Sequence, residues 1–267
     1  LLFEKVVELL EPVLFLIFNR PKTTARVFEA IREARPRKLY VVADGPRDGR
    51  SEDVDQCAAA RAVIDRVDWD CQVVKRYREN NMGCKKGVGD GISWFFDHEE
   101  QGIILEDDCL PAISFFSFCE QLLAKYKDDT RIIQICGTNL QFGVKRGDAS
   151  YYFSRVGGIW GWATWKRAWQ GIDLSLSTFP EFMRQKGLER LFPGASARRY
   201  LTAKLGEVFK GGNSWAFAWL YHGFTQNGLC VCPNVNLVSN IGFGTGGVHA
   251  NYKDSKLAET QTEQMGN

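Results

Sequence analysis

Three short runs constrain this chain more than any other feature: PVLFLIF at 12–18, KLYVVA at 38–43 and GIIL at 102–105. Each is apolar without alternation, and each stops at polar or turn-forming residues. An uninterrupted apolar run of that length predicts a strand covered on both faces. Between the runs lie segments with helical spacing. Thr23 or Thr24 can cap a helix that carries Val27, Phe28 and Ile31. Residues 52–67 read as a second helix, and residues 70–77 (DCQVVKRY) as a third strand. Residues 80–91 read as a glycine-rich loop entering a helix through Trp94, Phe95 and Phe96. A helix with Phe115, Phe116, Phe118, Leu122 and Leu123 follows the GIIL strand, and another strand spans 131–136. Strands alternating with helices predict an α/β fold with a mainly parallel, Rossmann-like sheet and helices on both faces. Ligands of such sheets bind beyond the carboxyl ends of the strands. The loops at 18–20, 43–45 and 105–108 therefore converge on one crevice, within reach of the 80–91 segment.

A chain of 267 residues suits a single domain over 1–267 with a sizeable core. Residues 1–136 form its regular half and 137–252 a less regular one. The tail at 253–267 has few core-forming residues, which predicts mobility. The opening LLFEKVVELLEP is broken by Glu4, Lys5, Glu8 and Glu11, so it reads as a short amphipathic helix and not a signal peptide. No run approaches the roughly 20 apolar residues of a membrane span. With 34 Lys+Arg against 32 Asp+Glu, the balance does not call for nucleic acid. The eight cysteines are irregularly spaced, and Cys230-Val231-Cys232 is not a paired C-x-x-C. Reduced, buried thiols in a cytoplasmic protein are the expectation.

Glu106-Asp107-Asp108 directly follows an apolar strand. Adjacent carboxylates repel, and partial burial adds to that cost, unless a cation sits among them. Mg²⁺ or Mn²⁺ bridging a carboxylate to a diphosphate removes both objections. The plainer alternative is a solvated acidic turn at a helix N-terminus. Asp44 can accept from a base N–H or a ribose hydroxyl, or it can serve the Asp-Gly-Pro turn. Asn19 and Arg20 belong to the first crevice loop. Backbone amides of 80–91, with Lys85 and Lys86, can meet a diphosphate, although no G-x-G-x-x-G or G-K-[ST] motif is present. Trp160, Trp162, Trp165 and Trp169 offer faces for sugar stacking or core packing, with Trp162 the candidate for the ligand side. His222 reads as structural, and His249, after a glycine-rich stretch, as a candidate contact for metal or phosphate.

Taken together, FNRP (18–21), DGPR (44–47), NMGCKKG (81–87), GIILEDDCLP (102–111), GWATW (161–165) and NLVSNIGFG (236–244) span nearly the whole chain. This set resembles a bacterial family of nucleotide-diphospho-sugar transferases, which is more distantly similar to the animal N-acetylglucosaminyltransferase I group. The resemblance implies a GT-A fold and a glycosyltransferase of the hexosyl-transferring class. It implies a UDP-sugar donor, a Mn²⁺ or Mg²⁺ cofactor and, by analogy, inversion at the anomeric carbon. It places the metal on Asp108 and puts Glu106 and Asp107 on ribose or donor sugar. In the animal enzymes a Trp-Asp-Asp-Trp run supplies the general base. Here the matching residues are Trp215-Ala216-Phe217-Ala218-Trp219, with no carboxylate. The base then comes from elsewhere, with Glu207, Asp173 and Glu181 as candidates, or the subfamily differs, or Ala216 is an engineered replacement. The acceptor is a hydroxyl on a glycan, lipid-linked sugar, protein or modified nucleic acid. Two other readings stand beside this one. A nucleotidyltransferase would carry a glycine-rich basic loop after the first strand, where Asn19-Arg20-Pro21 stands instead. A non-catalytic nucleotide-sugar-binding protein would need no base.

Overall fold

A computed structural model of the chain describes residues 8–243, 257 and 260–265. The first half runs β1 (Val13–Ile17), α1 (Pro21–Ala34), β2 (Lys38–Ala43), α2 (Ser51–Ala62), β3 (Gln72–Tyr77), α3 (Cys84–His98) and β4 (Gln101–Glu106). After it come β5 (Cys109–Pro111), α4 (Ile113–Lys125), β6 (Ile132–Cys136), β7 (Tyr151–Ser154) and β8 (Trp162–Trp165). The chain then turns helical with α5 (Lys166–Trp169), α6 (Phe179–Arg184), α7 (Gly187–Leu191), α8 (Ala195–Phe209) and α9 (Trp215–Thr225). It closes with β9 (Leu229–Pro233) and β10 (Val238–Asn240). The main sheet has the order β3-β2-β1-β4-β8-β6-β9-β7, while β5 and β10 form a separate ribbon. Only β8 and β7 run against their neighbours, so the sheet is mainly parallel.

Every residue of β1 is buried, as its unbroken apolar run requires. Val13, Phe15 and Ile17 point into a core shared with Val27 and Phe28 of α1 and Phe115 of α4. Leu14 and Leu16 point the other way, against Ile92 and Phe95 of α3 and Trp219 of α9. Helices therefore cover both faces, and the short-period alternation inside the strand is hidden because both sides want apolar groups. A third cluster, built around Leu201, Leu205, Ala218, Tyr221 and Phe224, binds α8 to α9.

Three expectations change. Trp162 belongs to the core and not to a ligand wall: it is 1% exposed, with its ring 5.3–6.3 Å from those of Trp169, Trp215 and Trp219. It lies in β8, an antiparallel strand slipped between β4 and β6. The segment read as a glycine-rich loop is mostly helix, because α3 already starts at Cys84. A Cβ on Gly91 would lie 3.1 Å from Leu16 and Val42, and one on Gly89 would lie 2.5 Å from Leu174. These glycines let the helix approach its neighbours closely. Residues 8–11 are not helical, and the rest of the expected N-terminal helix lies outside the described residues. At the other end, the Glu263 amide donates to Asn236 O at 2.8 Å and the Met265 amide to Ser114 Oγ at 3.1 Å, so residues 260–265 dock on the body. Among the described residues no helix is long and apolar enough to cross a membrane. All eight cysteines are free thiols.

Candidate active site

A cavity of about 650 Å³ opens beyond the carboxyl ends of β1, β2 and β4. One wall carries Asn19, Arg20, Asp44, Glu106, Asp107 and Asp108. The facing wall carries Trp160, Lys204, Glu207, Ser214, Ala216 and Phe217. The parallel register fixes the first wall: Leu16 of β1 pairs with Glu106 of β4, and Ile17 pairs with Ala43 of β2, so three loops leave the sheet side by side.

The acidic triplet is divided by the strand's pleat. Asp107 is buried, accepting from the Phe18 amide at 3.1 Å and from Arg20. Each of its oxygens thereby carries a bond that holds the β1 loop, and the residue still borders the cavity. Asp108 accepts from Arg20 Nη1 at 2.8 Å, and its side chain keeps 13% exposure. A Cβ on Gly242 would come within 2.4 Å of the Asp108 carboxylate, so the chain closes over it only because that residue is glycine. Glu106 has no hydrogen bond or ion pair with the described residues and faces the cavity beside Cys84. Burial, with Asp108 and Asp107 adjacent, pushes its carboxyl up to about 8. Burial, with Glu106 and Asp108 nearby, pushes the Cys84 thiol up to about 12, so it is no thiolate nucleophile. Arg20, the candidate donor contact, supplies much of the positive charge that the triplet needed.

Asp44 accepts from the amides of Gly45 (3.1 Å), Met82 (3.0 Å) and Gly83 (3.2 Å). Two of the amides expected to cradle a diphosphate, those of Met82 and Gly83, are thus taken up by Asp44, which ties the β2 and β3 loops together. Lys85 and Lys86 do not line the cavity, because the helix starting at Cys84 turns Gly87 and Val88 toward it instead. Of the tryptophans first considered for ligand contact, Trp160 alone lines the cavity. His222 is buried and donates from Nε2 to Ala168 O at 3.1 Å. His249 lies outside the described residues.

Among the base candidates, Glu207 lines the cavity and pairs with Lys204 at 3.0 Å. Asp173 instead caps a turn through Ser175 and Ser177, and Glu181 pairs with Arg184 on the outside of α6. Neither lines the cavity. Ala216 does, at the start of α9, whereas Ala218 is wholly buried. No group of three metal-ligating side chains occurs among the described residues.

Three further residues belong to the site. Asp53 of α2 is fully buried and accepts from Asn19 Nδ2 at 2.7 Å and from Arg47 Nε at 2.6 Å. One carboxylate thereby fixes two side chains of the cavity wall. Arg47 lies over the Phe18 ring, 5.5 Å from its centroid. Arg78 is 9% exposed and bonds Asp90 at 2.6 Å, but its buried Nη1 has no hydrogen-bond partner and stands 3.9 Å from Asp44. A signal for Arg78 was available, since it immediately follows β3 and so falls under the same strand-end rule as Asp44. Asp53 gave no signal, because a helical Asp reads as surface.

No protein-family profile and no curated protein matches the chain. Solved structures that resemble it include apo UDP-glucose pyrophosphorylase, at 9% identity over 86% of this chain and 93% of that one, with a TM-score of 0.41. HddC from Yersinia pseudotuberculosis, complexed with GMP-PN, matches at 9% identity over 65% of this chain and 87% of that one, with a TM-score of 0.40. Mouse xyloside xylosyltransferase 1 matches at 11% identity over 79% and 80%, with a TM-score of 0.36. Likenesses this distant do not decide a reaction. What the chain's own coordinates define is an α/β protein with a Rossmann-like sheet and a strand-end cavity.

Proposed function

We propose that the protein is a glycosyltransferase that moves a sugar from a nucleotide donor, UDP-linked by the resemblance, to an acceptor hydroxyl. The observation that carries this reading is Asp108, a carboxylate held by Arg20 and the Cys109 thiol yet still partly exposed on the wall of a cavity with two different sides. On the sheet side stand Arg20, Asn19, Asp44 and Arg78, suited to a phosphate-bearing nucleoside. On the other side stand aromatic and neutral polar groups with one ion pair, Lys204–Glu207. A donor lying across the sheet ends puts its nucleoside toward β2 and β3, its diphosphate near Asp108 and its sugar toward α8 and α9.

The residues fit a divalent cation in one restricted way. Asp108 and Glu106, whose carboxylate has no partner among the described residues, would be the groups to hold such an ion together with donor phosphate oxygens. When bound, such an ion screens charge on the departing diphosphate. Arg20 shares that task, because its guanidinium already spans Asp107 and Asp108. Glu207 is the cavity carboxylate on the acceptor side and our candidate base for the acceptor hydroxyl, with inversion at the anomeric carbon.

The test is product identity. With a panel of UDP-sugars and Mn²⁺, release of UDP supports this reading. Release of pyrophosphate from UTP and a sugar 1-phosphate assigns a nucleotidyltransferase instead, and nucleotide binding with neither product assigns a binding protein. A second expectation concerns Arg78. A buried donor without a partner is costly, and a ligand oxygen accepting from Nη1 removes that cost. Arg78→Met is therefore expected to weaken UDP binding about tenfold by calorimetry. An unchanged Kd would remove Arg78 from the site.

A further inference from the structure

We propose that the face of α8 outside the cavity is the outer part of a saccharide acceptor site, with Phe217 at the mouth and Tyr200 beyond it as stacking platforms. The inference rests on the transferase reading above and names the acceptor class.

Tyr200, Lys204 and Glu207 are spaced four and three residues apart on α8, so they share one face. Lys204 and Glu207 line the cavity, and Tyr200 sits one turn further out, about 6 Å along the axis. The adjoining face of α8, about 100° round the helix, is anchored by Leu201, Leu205 and Val208. Tyr200 is not needed for that packing, since it is 56% exposed. Its ring centroid lies 6.4 Å from that of Phe217, inclined at 61°, and Phe217 itself lines the cavity. Aromatic surface therefore continues from the cavity mouth out along the helix.

The chemistry of this wall selects among acceptors. Among the described residues, the charges this wall presents to the cavity are Lys204 and Glu207, which pair with each other at 3.0 Å. The other polar groups facing the cavity here are neutral, such as Ser214 and Asn240. Aromatic faces with neutral hydrogen-bonding groups suit sugar rings, whose C–H faces stack while their hydroxyls bond at the edge. A strongly charged peptide or a lipid phosphate would call for an unpaired charge. An acyl chain would call for an unbroken apolar groove, which the Lys204–Glu207 pair interrupts. An acceptor whose terminal hydroxyl enters the cavity would lay its next sugar on Phe217 and the one after on Tyr200.

The experiment uses cello-, chito- and malto-oligosaccharides of one to four units. UDP release is measured with Mn²⁺, and saccharide binding to the protein alone is followed by saturation-transfer NMR. In the wild type, KM for one of these series should fall severalfold from one unit to three. Tyr200→Ala should erase that length dependence, raising KM for the three-unit acceptor about tenfold with kcat little changed, and Tyr200→Phe should restore it. Phe217→Leu should raise KM at every length. The proposal is overturned if no saccharide binds, if Tyr200→Ala changes all lengths alike, or if a peptide or polyprenyl phosphate stimulates release in place of sugars. Saccharide binding that responds to Tyr200 without any UDP release would sink the transferase reading and leave the saccharide site standing.

Discussion

Asp108→Asn is expected to reduce sugar transfer at least a hundredfold while leaving the fold in place. The asparagine keeps the shape and can still accept from Arg20 Nη1, while Arg20 Nη2 retains Asp107. What it loses is the partly exposed carboxylate that stands where the β4 loop meets the β1 loop and that Arg20 holds in place. Lewis-acid help to a leaving diphosphate is worth several kcal/mol, and most of it depends on an anionic ligand. The measurement is initial-rate UDP release across a Mn²⁺ titration, with the melting temperature as a control. A variant that still responds to Mn²⁺ within about threefold of wild type would mean that the metal is not held at Asp108.

Asp53→Asn should cost both stability and donor affinity. In the folded protein this carboxylate accepts from the Arg47 amide and guanidinium and from Asn19, and the asparagine amide would turn a donor toward these donors. The charged hydrogen bonds suggest a loss of about 2 kcal/mol, the lower end of the range, because Arg47 is 43% exposed and partly screened. Its hydrogen bonds from Arg47 outweigh burial and hold the Asp53 carboxyl below its ordinary value of 3.8. Its contribution is therefore complete above about pH 4 and is lost as pH falls through the lower folded value. Urea melts from pH 7 to pH 2 should show a shallower acid-side decline in the variant than in the wild type. UDP affinity should fall as well, because Asn19 and Arg47 lose their common anchor. If stability drops while UDP binding is unchanged, Asp53 serves the fold alone.

Much of the fold was legible because its constraints are local. β1, β2 and β4 are short runs in which every apolar side chain is buried, and that forces strands covered on both faces. Strand ends followed by Asn19-Arg20, Asp44 and Asp107-Asp108 lie in one crevice for the same reason: parallel strands end on one side. β8 was hidden because Trp162, Ala163, Thr164 and Trp165 read equally well as an aromatic cluster, and only pairing with β4 and β6 makes them a strand. The glycines of α3 resembled a phosphate loop, since sequence does not distinguish a glycine required by φ from one required by close packing.

By itself, then, the sequence determined which backbone segments are buried strands and that an acidic triplet stands at one strand's end. The tertiary structure alone decided what each carboxylate of that triplet can do. Asp107 is held by Phe18 and Arg20, the Glu106 carboxylate has no partner among the described residues, and Asp108 is bound by Arg20 yet partly exposed. The physical reason is range. Strand burial follows from the hydrophobicity of consecutive residues, whereas the charge state and availability of a carboxylate depend on partners nearly ninety positions away, which meet it only when the sheet closes.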